Sequence, residues 1–124
     1  MGQCKILIVE DEVVCALSLQ HILETLGYET TQMTTTGEEA IVLAERESPE
    51  VVLMDINLYG VMNGIEAAEK IISEFGIPVI FITGYGYDEI IEQAKHVNPA
   101  AILSKPLDIE MLKSALKSAI KKTS

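Results

Sequence analysis

Val51-Val52-Leu53-Met54-Asp55 sets four apolar side chains in a row and ends on a carboxylate. A strand with one wet face alternates apolar and polar residues, because successive side chains point to opposite sides of the sheet. An unbroken apolar run is what a strand buried on both faces requires, and such strands belong to parallel sheets covered by helices. Two runs of the same kind flank it in sequence, Ile6-Leu7-Ile8-Val9 and Val79-Ile80-Phe81-Ile82, and a weaker one, Ala100-Ala101-Ile102-Leu103, follows. Glu29-Thr30-Thr31-Gln32-Met33 is polar and β-branched, the composition of an edge strand.

Between these runs the apolar period changes to that of a helix. Ala16, Leu19, Leu23 and Leu26 share one helical face, and Gly27 follows as a stop. Thr36-Gly37-Glu38-Glu39 has capping-box spacing ahead of Ala40, Leu43 and Ala44. Asn63 can cap a helix carrying Ile65, Ala68, Ile72 and Phe75, ended by Gly76 and Pro78. Asp88 precedes Ile90, Ile91, Ala94 and Val97, with Asn98-Pro99 closing the segment, and Asp108 opens a last helix with Ile109, Leu112, Leu116 and Ala119 on one face. The product is a strict (βα)5 alternation without linker, internal repeat or low-complexity tract: an α/β, doubly wound parallel sheet. Placing the two least apolar strands, second and fifth, at the edges gives the order 2-1-3-4-5, which is flavodoxin-like, and in such sheets a ligand sits beyond the carboxyl ends of the strands.

The bulk composition narrows the function from outside. At 124 residues the chain has the length of one domain, and 48% apolar residues supply a core. No apolar run approaches the roughly 20 residues that cross a bilayer, and Met1-Gly2-Gln3-Cys4-Lys5 has no signal-peptide architecture. These features predict a cytoplasmic domain with no membrane partner. A formal charge of −10 argues against nucleic acid as a direct partner. The charge is uneven: residues 1–112 hold all 19 acids and five bases, while the last twelve hold Lys113, Lys117, Lys121 and Lys122 and no acid. Cys4 and Cys15 read as reduced thiols at or near a core, and His21 and His96 as isolated, partly exposed helix residues.

What remains lies at the strand ends. The first run leads into Glu10-Asp11-Glu12, the third ends in Asp55, the fourth in Thr83, and the fifth in Ser104-Lys105-Pro106. In the order 2-1-3-4-5 these converge on one cleft. Converging carboxylates repel and raise one another's pKa, and a hard divalent cation such as Mg²⁺ relieves this with oxygen ligands. Metal, ammonium and hydroxyl together suit a phosphoryl group, whose three oxygens need compensation from several directions. Asp55, at the end of the central strand, can then act as the nucleophile of an aspartyl-phosphate, with Asp11 and Glu10 holding the metal.

With these residues in order, the chain resembles a response-regulator receiver domain of two-component signalling (CheY-like), over about residues 4–122. The matching residues are Glu10-Asp11 after Ile-Leu-Ile-Val, Asp55 in Val-Leu-Met-Asp, Thr83 in Phe-Ile-Thr-Gly, Lys105-Pro106, and Met62-Asn63-Gly64-Ile65. The resemblance implies that Asp55 takes a phosphoryl group from a phosphohistidine on a sensor histidine kinase or phosphotransfer domain. It implies that Asp11, Asp55, Glu10 (through water) and the Asn57 backbone carbonyl organise Mg²⁺, with Mn²⁺ as a substitute. It implies that Lys105 binds one phosphoryl oxygen, that Thr83 moves to another, and that the Lys105–Pro106 bond is cis. Asn57 and Tyr85 would tune the phosphate's lifetime, Tyr85 by shielding it from water. The face around the fourth helix, fifth strand and fifth helix would switch, meeting a downstream effector or output domain, or a second copy in a homodimer.

Three positions depart from the family pattern. Ile102 stands where an aromatic residue is usual, so the coupled Thr/aromatic movement is replaced by shifts of loop and helix on the same face. The segment Asn57-Leu58-Tyr59-Gly60-Val61-Met62 lacks a common proline, and Gly84 replaces a common alanine. Rival readings fare worse. A flavodoxin-like cofactor binder needs a hydroxyl- and glycine-rich loop after the first strand, where Glu10-Asp11-Glu12 would repel a flavin phosphate. An aspartate-nucleophile phosphatase needs an acid two residues after the nucleophile, where Asn57 stands. A degenerate receiver acting only through contacts would have no reason to hold the full residue set. The expectation is a signalling phosphoacceptor rather than a turnover enzyme, one receiver domain over residues 1–124, either stand-alone or part of a larger regulator or hybrid kinase.

Overall fold

The computed structural model describes residues 4–56, 63–84 and 88–123. In chain order the elements are β1 (Lys5–Val9), α1 (Val13–Thr25), β2 (Glu29–Thr30), α2 (Gly37–Glu47), β3 (Val51–Asp55), α3 (Gly64–Phe75), β4 (Val79–Thr83), α4 (Asp88–Lys95), β5 (Ala101–Ser104) and α5 (Ile109–Thr123). All strand pairs are parallel, in the order β2-β1-β3-β4-β5. The predicted flavodoxin-like (βα)5 architecture and strand order are therefore those of the molecule.

The order explains where the helices lie. The chain leaves β1 toward one edge to make β2, then returns and moves steadily the other way through β3, β4 and β5. Crossovers of one hand must then place α1 on the opposite face from α2, α3 and α4. Accordingly Leu7, Val9, Val52, Met54, Val79 and Phe81 pack against Leu43 of α2, Ile71 of α3 and Ala94 of α4. The alternate residues Ile6, Ile8, Leu53, Ile80 and Ile82 pack against Leu19 and Leu23 of α1 and Leu112 and Leu116 of α5. All five residues of β3 and of β4 are buried, the condition that their unbroken apolar runs demand.

Local signals were met unevenly. Asn63 closes a full capping box on α3, its Oδ1 accepting from Glu66 N at 2.9 Å while Glu66 Oε1 accepts from Asn63 N at 3.1 Å. Thr36 caps α2 by accepting from Glu39 N at 3.2 Å, but the reciprocal bond is diverted: the Glu39 carboxylate accepts from Thr34 Oγ1. The second strand is shorter than its polar run, ending at Thr30, although Thr31 N and Thr34 N still donate to Ile6 O and Ile8 O of β1 at 3.0 and 3.1 Å. An edge run with one neighbour pairs only where its amides face that neighbour. Asn98, with φ 58°, ends the turn after α4 in the left-handed region that asparagine tolerates, and exposed His96 sits in that turn rather than in the helix. Among the described residues no helix is long and apolar enough to cross a membrane.

Candidate functional site

The change of direction between β1 and β3 leaves a crevice at their carboxyl ends, and five of the expected residues lie there. Carboxylate oxygens of Glu10, Asp11 and Asp55 are all within 4.8 Å of one another. Glu10 is 2% exposed and Asp55 7%, so two of the three charges are held away from bulk water. Lys105 crosses from the end of β5 to place Nζ 3.2 Å from Glu10 Oε1 and 3.8 Å from Asp55 Oδ2. Thr83, also buried, ends β4 opposite Ser104, and its carbonyl accepts from Lys105 N at 2.8 Å. The Lys105–Pro106 peptide is cis, as the resemblance implied. Ile102 is half-buried and packs on the side of the sheet that carries α2, α3 and α4. Asn57 and Tyr85 lie outside the described residues.

Electrostatics in the crevice follow from burial. Desolvation pushes the Glu10 pKa up, and a hydrogen bond to Asp55 and the charge of Asp55 push the same way; the Glu12 amide, donating to Glu10 Oε2 at 3.2 Å, and Lys105 oppose them only in part. For Lys105 partial burial disfavours the charge, but Asp55 and Glu10 outweigh it and the pKa rises. The ammonium therefore stays charged near neutral pH, facing the Glu10 and Asp55 carboxylates. The donor set is all oxygen and mostly anionic, which is the chemistry of Mg²⁺ rather than of a soft metal. Carboxylate oxygens gathered within 4.8 Å of one another can share one such cation, directly or through its retained waters. The residues present fit the ion.

Three contributors were not identified from the sequence as parts of the site. Gly64 opens α3 directly over the end of β3: a Cβ there would stand 2.4 Å from Asp55 O and 3.0 Å from Ile56 O. Only a residue without a side chain lets the capped helix approach the backbone of Asp55 so closely. Cys15, read as a reduced thiol at or near a core, is half-buried and lines a groove of about 350 Å³ between α1 and the β5–α5 connection, together with Glu10, Val14, Ser18, Lys105 and Leu107. Burial raises its pKa, so it is a thiol rather than a thiolate. Its place in the first turn of α1, just after the Glu10-Asp11-Glu12 run, was the available signal. Thr34 ties the β2–α2 connection to Glu10, through a carbonyl that accepts from Glu10 N at 3.0 Å.

Comparison with known proteins agrees with this geometry. Residues 6–117 match the family model of the response regulator receiver domain. The transcriptional regulatory protein PdtaR of Mycobacterium tuberculosis is 33% identical over 116 residues, covering 94% of this chain but 56% of its own length, so the chain spans little more than half of that relative. Sporulation initiation phosphotransferase F of Bacillus subtilis is 35% identical, with 91% of this chain and 90% of that protein covered. The signal receiver domain of a modulated diguanylate cyclase from Desulfovibrio desulfuricans G20 superposes with a TM-score of 0.92 at 36% identity, covering 98% of this chain and 96% of that one. A CheY-like receiver domain protein from Methanospirillum hungatei JF-1 gives 0.87 at 30% identity over 98% and 96%. With the fold, the converging strand ends and the family match in agreement, this chain belongs to the response regulator receiver domain family of two-component signalling.

Proposed function

We propose that Asp55 is the phosphoacceptor of a Mg²⁺-dependent receiver, and that phosphorylation switches the α4–β5–α5 face. The observation that carries this is the buried Asp55 carboxylate with Lys105 Nζ 3.8 Å away and two further carboxylates within metal-sharing distance. An Asp55 oxygen attacks phosphorus, the P–N bond to the donor imidazole breaks, and its electron pair returns to the ring nitrogen. Lys105 balances charge on the transferring oxygens, and the Thr83 hydroxyl, at the end of the adjacent strand, donates to another. Mg²⁺, held by Asp11, Asp55, Glu10 through water and the Asn57 carbonyl, would supply the remaining charge neutralisation; Mn²⁺ fits the same donors. Water attack on phosphorus later releases phosphate and regenerates Asp55, with Asn57 and Tyr85 setting the rate. Ile102 replaces the usual switch aromatic, so the signal passes through movement of the Thr83–Gly84 loop and α4.

The donor, a histidine kinase or phosphotransfer domain, has to reach Asp55 past α1. Val13, Val14 and Leu17 there are 64%, 80% and 50% exposed, and Val14 lines the groove with Lys105 and Leu107, a surface suited to an apolar partner face. The α4–β5–α5 face is assigned to the effector, output domain or homodimer partner. We read the chain as a single receiver domain, a cytoplasmic signalling phosphoacceptor rather than a turnover enzyme. Phosphoramidate or acetyl phosphate with Mg²⁺ tests the chemistry by intact mass. One added phosphoryl group is expected, absent without divalent cation and absent in Asp55→Asn; a gain retained in Asp55→Asn overturns the assignment.

A further inference from the structure

The connection between β2 and α2 meets the acidic crevice from the side opposite β3. Thr34, at its centre, is 2% exposed. Its N–H donates to Ile8 O at 3.1 Å and its carbonyl accepts from Glu10 N at 3.0 Å, so the two bonds straddle Val9 and hold β1 to its last residue. Just beyond, the backbone turns out into Glu10 and Asp11. The Thr34 hydroxyl donates to the Glu39 carboxylate in the first turn of α2, and Glu39 N donates to Thr36 Oγ1 at 3.2 Å. A carboxylate in the first turn of a helix is favoured by the dipole, so the bond from Thr34 to Glu39 links the connection to α2. Packing alone does not call for a hydroxyl at so buried a position, since valine fills the same volume. What the hydroxyl adds is direction: it ties the connection to α2, and the connection in turn holds the Glu10 amide.

We infer that Thr34, anchored by Glu39, is a positioning residue for Glu10, setting that carboxylate relative to Asp11 and Asp55 and thereby the affinity of the crevice for a divalent cation. This rests on the reading of the crevice as a Mg²⁺ site. A displaced connection would either unpair a buried amide or draw Glu10 with it, and both outcomes misalign the donor set.

Isothermal titration with Mg²⁺ on the full chain tests it, alongside denaturation midpoints in metal-free buffer. Thr34→Val is expected to weaken Mg²⁺ binding by about tenfold, the low end for groups that orient ligands. Thr34→Ser, which keeps the hydroxyl, should bind like the wild type. Glu39→Ala alters an exposed side chain and guards against a valine variant that fails to fold; a loss of affinity in the same direction is expected. At saturating Mg²⁺ the phosphorylation rate of these variants should recover, which a general loss of structure would not allow. A wild-type Kd in Glu39→Ala or in folded Thr34→Val overturns this inference alone, as does a Thr34→Ser variant as weak as Thr34→Val. Absence of Mg²⁺ binding by the wild type overturns the site reading as well.

Discussion

Glu10 and Lys105 share an ion pair at 3.2 Å yet make stability depend on pH in different windows. The Glu10 pKa is raised above the ordinary 4.5, first by desolvation and then by Asp55, so the folded state holds this proton more tightly than the unfolded chain. Its contribution is fully present below the unfolded pKa and is lost as pH rises through the folded one. Lys105 is also raised, above 10.5, so its contribution persists through neutral pH and is lost only in the alkaline range. In metal-free buffer Glu10→Gln should therefore flatten the decline in stability above pH 4.5, measured by urea midpoints from pH 4 to 8; an unchanged slope would place the proton elsewhere. Lys105→Met leaves Glu10 buried with its cation removed and should cost about 1–3 kcal/mol in the same assay. Saturating Mg²⁺ should return part of that loss. These residues were legible because charged side chains at the ends of apolar runs need a reason to be there; Thr34 was not, since a threonine looks alike in a loop and in a core.

Element boundaries matter because α3 is set directly on the strand that carries Asp55. Gly64→Ala would push a methyl group into the Asp55 and Ile56 carbonyls, and neither backbone can yield without moving the other. A loss of about 1–3 kcal/mol is expected from overpacking. Phosphorylation by phosphoramidate should fall even where the variant is fully folded, because the displaced atoms belong to Asp55 itself. Asn63→Ala, which removes the cap but not the close approach, should cost about 1 kcal/mol by thermal melting and leave phosphorylation nearly intact. The cap expected at Asn63 formed, with a reciprocal bond to Glu66, because both partners are local, three residues apart. The equivalent signal at Thr36 was met by half, because Glu39 found a tertiary partner in Thr34 that no local spacing reveals.

Across the molecule, the two helices that share one face of the sheet, α1 and α5, carry different surfaces. α1 offers exposed Val13, Val14 and Leu17 beside the crevice, while α5 carries Lys113 and Lys117, neither ion-paired among the described residues. Val14→Glu should slow phosphotransfer from a phosphohistidine donor protein by about tenfold or more, as for a central interface residue. Its phosphorylation by phosphoramidate, which needs no docking face, should stay at the wild-type rate; an equal loss with both donors would place the defect in the crevice. By itself the sequence determined the parallel sheet, its edges, the strand-end residues that converge on one crevice and most helix caps. Each of these depends on periodicity or on partners a few residues apart. Only the tertiary structure decided how close α3 lies to Asp55, that Cys15 lines the groove with Lys105, and that Thr34 holds Glu10. Those contacts join residues from different strands and helices, and their distances are set by packing, which no local pattern encodes.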